Sequence, residues 1–154
     1  MPLTNGFKKK GGIMDSLQNF LTTFNQLDKK NLSLLETIYH PDIRFIDPAH
    51  SLQGLPALKQ YFFSLYENVR SIRFAFDTPM QSDSQAFVTW TLHMHHPRLA
   101  KGRPVAVKGC SCLTFASDGR VIRHRDYFDL GAMIYEHLPL VGGIIKTIKK
   151  RLGS

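Results

Sequence analysis

Two carboxylates and a group of histidines are the side chains of this sequence best suited to moving protons. Asp126 lies in the run Arg125-Asp126-Tyr127-Phe128-Asp129-Leu130, and Asp47 lies in Phe45-Ile46-Asp47-Pro48. If Asp126 faces a pocket, period-two alternation brings Ile122, His124 and Phe128 to the same face and turns Arg123, Arg125, Tyr127 and Asp129 away. Apolar walls favour the neutral form of a carboxylate, which suits proton transfer near neutral pH. On this reading His124 orients Asp126; the competing reading is a structural aspartate paired with His124 or Arg125. Asp47 stands at a strand end, where its side chain can bond the Pro48-Ala49-His50 turn. His93, His95 and His96, with His124, invite a metal, because His93 and His95 share a strand face and a carboxylate would complete a facial triad.

Other chemistries are excluded by what the sequence lacks. Cys110 and Cys112 are its two cysteines. At alternate positions of one strand they project from the same face about 7 Å apart, too far for a disulfide. There is no CxxC framework for zinc. Neither a GxxxxGK[ST] phosphate loop nor a Gly-x-Ser-x-Gly elbow is present, and neither cysteine has the surroundings of a nucleophile.

The elements that position these groups are legible in the hydrophobic pattern. Leu17, Phe20, Leu21, Phe24 and Leu27 recur at helical spacing. A second short helix carries Leu32, Leu35 and Ile38 and is expected to end at Tyr39-His40, since Pro41 disfavours the α region for the residue before it. Ile43, Phe45 and Asp47 alternate with Arg44 and Ile46 as a short strand stopped by Pro48. Gly54 and Pro56 open a third helix with the stripe Leu58, Tyr61, Phe62 and Leu65. Four strands follow over 71–78, 85–96, 104–115 and 120–129, and Ser117-Asp118-Gly119 joins the last two as a hairpin. A sheet of this size must bury one face, and the helices are its only cover. The expected fold class is α+β: a curved mixed or antiparallel sheet packed on three N-terminal helices. The expected division is a basic leader over 1–12, a domain over 13–138 and a basic amphipathic tail over 139–154.

The formal charge of +8 is concentrated at the ends. Lys8, Lys9 and Lys10 are followed by Gly11-Gly12 rather than an apolar run, so no secretory signal is expected and a cytoplasmic location is. No stretch approaches the roughly 20 apolar residues that cross a bilayer. At the C-terminus, Pro139 and Gly142-Gly143 are expected to interrupt the helix. Beyond them Ile144, Ile145, Ile148 and Leu152 oppose Lys146, Lys149, Lys150 and Arg151. Such a helix either touches an anionic membrane interface or packs its apolar edge on the domain. No nucleic-acid partner is expected.

The pattern HPDIRFIDP … GLPALKQYF … DGRVIRHRDYFDL resembles SnoaL-like proteins of the nuclear transport factor 2 superfamily, over about residues 15–138. Relatives there include polyketide cyclases, ketosteroid isomerases and limonene-epoxide hydrolases, and the RDYFDL run is most similar to the last type. The resemblance implies a cone-shaped pocket for an apolar small molecule, a homodimer formed through the sheet, no cofactor and no metal. It implies that Asp126 protonates, orients or deprotonates at the ligand. It also implies that Asp47 stands where ketosteroid isomerases carry their Asp-Pro base, opposite an oxyanion hole of Tyr and protonated Asp. Here the matching positions are Phe20 and Ser111, so the oxyanion half is missing. The epoxide-hydrolase relay needs Arg and Asp where this chain has Thr91 and His93. His93 could substitute as base, but a one-residue slip would turn it out and bring Val88, Trp90, Leu92 and Met94 to the pocket instead.

Two functions remain open on these residues. The first is an enzyme acting by acid–base chemistry (isomerase, cyclase or epoxide-hydrolase type) through Asp126, His124 and Asp47, with His93, Phe128, Ser111, Phe20 and Trp90 as ligand contacts. The second is a non-catalytic ligand-binding or dimeric accessory protein.

Overall fold

The computed structural model describes residues 12–153; the leader expected over 1–12 lies, Gly12 apart, outside them. The first helix, α1 (Ile13–Phe24), buries Leu17, Phe20, Leu21 and Phe24 against the sheet. Each such side chain contributes roughly 1.5–3 kcal/mol relative to exposure. Asn25, which ends α1, clasps an edge strand: its Nδ2 donates to the Phe74 carbonyl (2.8 Å), and the Phe74 N–H donates to its Oδ1 (3.0 Å). The amide thus takes the place of a neighbouring strand.

After a 3-10 turn (Leu32–Leu34), α2 (Leu35–Ile38) passes directly into strand β1 (Tyr39–Ile46). Tyr39 and His40 therefore begin a strand rather than end a helix. Pro41 is tolerated because the pairing is interrupted between Tyr39 and Arg44, where its missing N–H breaks no ladder bond. A short β2 (Ser51–Gln53) pairs back on β1, and α3 (Leu55–Asn68) lays Leu55, Leu58 and Phe62 on the core. The remaining strands are β3 (Ser71–Phe76), β4 (Met80–Ser82), β5 (Gln85–His95), β6 (Val105–Phe115) and β7 (Val121–Phe128). They form one sheet in the order β2-β1-β7-β6-β5-β3, with β4 also on β5. Only the β1–β7 pairing is parallel among the described strands. The chain is α+β, with helices covering one face of a curved open sheet.

Beyond β7 the chain turns through α4 (Leu130–Met133), capped by the Asp129 carboxylate accepting from the Ala132 N–H (3.1 Å), and a 3-10 turn (Tyr135–His137) into α5 (Val141–Leu152). Gly142-Gly143 lies inside α5 rather than before it. Its bareness serves packing: a Cβ on Gly142 would stand 2.3 Å from the Glu136 carbonyl oxygen. Lys149 then reaches back to Asp129 and to Glu136. Those bonds hold the Asp129 carboxyl below its ordinary range and the Lys149 ammonium above its own. A depressed carboxyl contributes stability above its unfolded value, about 3.9, that is lost as pH falls through the lower folded value. The raised Lys149 contributes below its unfolded value, about 10.4, and that share is lost as pH rises through the higher folded value. Backbone amides of α5 are therefore expected to lose hydrogen-exchange protection below about pH 4, before the sheet does. Equal protection of α5 and β6 throughout acid titration would contradict this.

Candidate functional site

A cavity opens between α1, α3 and the inner face of the sheet, with a free volume of about 80 Å3. Its walls are aromatic: Phe24 from α1, Tyr61, Phe62 and Tyr66 from α3, Phe74 from β3, Trp90 from β5 and Phe128 from β7. Asp47 and Asp126 are its two carboxylates, and Met133 of α4 also lines it. On β5 the inward set is Ala86, Val88, Trp90, Leu92 and Met94, all buried, whereas His93 is exposed on the outer face. His93 is thereby corrected: its register with Arg73 and Ala106 sends its side chain away from the cavity. Thr91 shares that outward parity, so neither relay position reaches the ligand space. His95 lies on the outer side too, and among the described residues no group of three His, Cys, Asp or Glu side chains converges for a metal.

Asp126 is the terminus of a directed hydrogen-bond chain. Ser111 lies directly across β6 from it, and its hydroxyl donates to Asp126 Oδ1 (2.5 Å). The Trp90 indole N–H, which can only donate, supplies the Ser111 oxygen (2.8 Å). His124 Nε2 lies 2.7 Å from the same Oδ1, and the Tyr39 hydroxyl lies 2.7 Å from His124 Nδ1. Burial, and then the Asp126 charge, raise the Tyr39 phenol well above its ordinary range, so it stays protonated and donates. The network then assigns the tautomer: Nδ1 accepts from Tyr39 and Nε2 carries the proton given to Asp126. Donors thus run inward from both sides and meet on Oδ1. Among the described residues, Oδ2 receives no hydrogen bond.

His124 is 2% exposed and does not line the cavity; it stands behind Asp126, as does Ser111. Phe20, expected at the ligand, is corrected as well. It lies in the core with its ring 5.8 Å from His124 and 5.4 Å from Tyr39, and the helical stripe that buries it aims it behind the imidazole. Phe45 closes the other side at 5.0 Å. Phe128 and Trp90 do line the cavity.

Asp47 is occupied by its own turn. Its Oδ1 accepts from the Ala49 and His50 N–H groups (both 2.7 Å), His50 Nδ1 lies 3.0 Å away, and the Tyr61 hydroxyl donates to Oδ2 (3.1 Å). Burial, then the charges of Asp47 and Asp126, push the Tyr61 phenol far upward, so it remains neutral. Tyr39 and Tyr61 were missed as site residues. The sequence marks Tyr61 only as part of a core stripe, and it places Tyr39 at a helix end.

Several solved structures share this architecture. An NTF2-like protein of unknown function from Burkholderia pseudomallei aligns with a TM-score of 0.68 and 19% identity, over 79% of this chain and 93% of its own. TerC, co-crystallized with polyporic acid, aligns with a TM-score of 0.67 and 16% identity, over 79% and 94%. A candidate SnoaL-like polyketide cyclase from Jannaschia sp. CCS1 aligns with a TM-score of 0.67 and 17% identity, over 79% and 88%. At these identities the likeness is one of fold. No curated protein matches. The sequence profile of the SnoaL-like domain matches residues 17–124, from the first core residue of α1 to the histidine behind Asp126, and the chain belongs to the SnoaL-like domain family.

Proposed function

We propose that this protein catalyses proton transfer on a small, apolar, enolisable molecule, with Asp126 as the proton acceptor. One observation carries the reading: Ser111 and His124 both spend their protons on Oδ1, leaving Oδ2 the unoccupied oxygen of a carboxylate set among aromatic walls. Oδ2 takes a proton from an acidic C–H; the C–H bond breaks, its electron pair moves into the adjacent carbonyl to give an enolate, and in a ligand whose C=C is conjugated with that enolate the proton returns from Oδ2 at the far carbon as the double bond shifts. That sequence is an isomerisation; attack of the enolate carbon on an internal carbonyl, whose oxygen then takes the proton back from Oδ2, would make it a cyclisation. His124 and Ser111 position the base. Asp47 holds the turn and Tyr61, whose neutral phenol turns from Asp47 to the ligand oxygen as the developing charge requires. No cofactor enters.

An epoxide-hydrolase reaction is disfavoured because Thr91 and His93 share the outer face. The cavity is smaller than the roughly 300–1,000 Å3 of drug-sized ligand sites, so it fits a single ring or a chain end unless Met133 moves. Cys110 and Cys112 are free thiols on the outer side of β6. With exposed Phe87 and Tyr127 they also form the sheet face expected to pair two copies; light scattering at micromolar concentration that reads a monomer would remove the homodimer.

The test of the reaction is deuterium exchange. Enolisable cyclic ketones and diketones incubated with the protein in D2O should gain label at the α-carbon faster than in buffer. A panel member that binds, seen by quenching of Trp90, without any accelerated exchange would assign the protein as a non-catalytic binding module.

A further inference from the structure

Helix α5 has two faces with different surroundings. Gly142, Ile145 and Lys149 turn to the domain: Gly142 onto Glu136, Ile145 beside Gly131, and Lys149 onto Asp129 and Glu136. The adjoining face carries Val141, Ile144, Ile148 and Leu152, which are 42%, 61%, 49% and 82% exposed. Their spacing of three and four keeps them in one stripe along the whole helix. Leu140, immediately before it, is 89% exposed. Surface aliphatics scattered singly need no explanation, but a continuous stripe does.

Charge identifies what covers the stripe. Residues 141–152 contain Lys146, Lys149, Lys150 and Arg151 and no acidic residue. At 100° per residue, Lys146 and Lys150 fall on the side opposite the aliphatics, and both are exposed. A second copy of α5 laid on the first would bring two uniformly cationic helices together, which opposes self-association through this face. An anionic lipid surface satisfies both faces at once. The aliphatics enter the acyl boundary, and the lysines extend their stems to the headgroups. Twelve residues span about 18 Å, short of the roughly 30 Å hydrocarbon core, and no described helix is long and apolar enough to cross a membrane. A helix of this length and pattern suits an orientation along an interface rather than across it.

We propose that α5 is an interfacial anchor that docks the protein on an anionic bilayer. It packs on the 3-10 turn Tyr135–His137 that follows α4, with Ile145 beside Gly131 of α4, and Met133 of α4 lines the cavity. Docking therefore sets the α4 wall of the cavity at the lipid surface, where apolar molecules concentrate. The anchor stands whether or not Asp126 is catalytic.

Flotation of the full chain with vesicles tests it. At 50 mM salt the protein should float with equimolar phosphatidylglycerol and phosphatidylcholine, and neither with phosphatidylcholine alone nor at 500 mM salt. Lys146→Gln with Lys150→Gln should weaken partitioning about 5-fold per lysine. Ile144→Asp with Ile148→Asp should weaken it by roughly 10-fold or more. All four side chains lie outside the core, and unchanged Trp90 emission checks folding. Absence of flotation with anionic vesicles at 50 mM salt overturns the proposal, as does equal binding to neutral vesicles. So does vesicle binding that survives the aspartate pair, or an aspartate pair that turns a dimer into a monomer while leaving flotation intact.

Discussion

Asp126→Asn is expected to abolish most of the exchange activity, by about 10²- to 10⁴-fold, the usual contribution of a positioned proton acceptor. The prediction is sharp because the substitution is nearly silent for the network behind it. Asparagine Oδ1 still accepts from the Ser111 hydroxyl and from His124 Nε2, the two bonds that now meet on Asp126 Oδ1. What changes is the other end of the group, where an oxygen able to take a proton becomes an NH2 that only donates. Two bonds to a charged acceptor become bonds to a neutral one, a loss of about 1 kcal/mol each, so the variant should fold with a modestly lower melting temperature. Initial rates of deuterium incorporation and a thermal melt, on the same samples, separate the two effects. Loss of rate with the fold kept supports Asp126 as base. Full activity in the variant would end that reading. A raised KM with kcat unchanged would move Asp126 from chemistry to binding.

Much of this arrangement is legible in the sequence where a single period governs it. The helical stripe of α1 and the alternation of β7 both point their side chains as the spacing demands, with His124, Asp126 and Phe128 on one face. What alternation cannot supply is its own phase. In the β5 run Val88 to His95, apolar residues alternate with Thr89, Thr91, His93 and His95, and either phase gives a chemically sensible pocket. Burial decides: Trp90, Leu92 and Met94 find cover under the helices, while His93 needs none. Tyr39 shows another limit. Pro41 is a sound stop signal for a helix, but the interrupted β1–β7 pairing lets a strand run through it, which only tertiary pairing reveals. Phe20 and Ser111 are expected from the sequence as ligand contacts, and both stand behind the carboxylate instead. Depth behind a carboxylate depends on strand register and ring packing rather than on spacing along one element. Gly142 of α5 reads as part of a break, although its bareness is what close packing on Glu136 requires.

Gly109→Val is expected to destabilise the sheet by about 3 kcal/mol, the upper end of overpacking costs. Gly109 lies opposite Trp90 on β5 and Phe128 on β7. A Cβ built on it would stand 2.2 Å from Trp90 Cη2 and 2.5 Å from Cζ2, so the indole occupies the space a side chain would need. The ring has little room to retreat. Its N–H is bound to Ser111, the Phe74 ring meets it edge-on at 5.2 Å, and Phe128 lies 6.1 Å away. Valine must therefore push the indole out of place, which breaks the Trp90–Ser111 bond and frees the Ser111 hydroxyl from the orientation that serves Asp126. For a chain of this length the melting temperature should fall by roughly 6–12 °C. Trp90 is the sole tryptophan, so a red shift of its emission reports the displacement directly. In a Trp90→Phe background the smaller ring leaves part of the space, and the cost of Gly109→Val should shrink by more than 0.5 kcal/mol, the coupling expected of residues in contact. An unshifted emission maximum and an unchanged melt in Gly109→Val would show that the indole does not lie over this glycine.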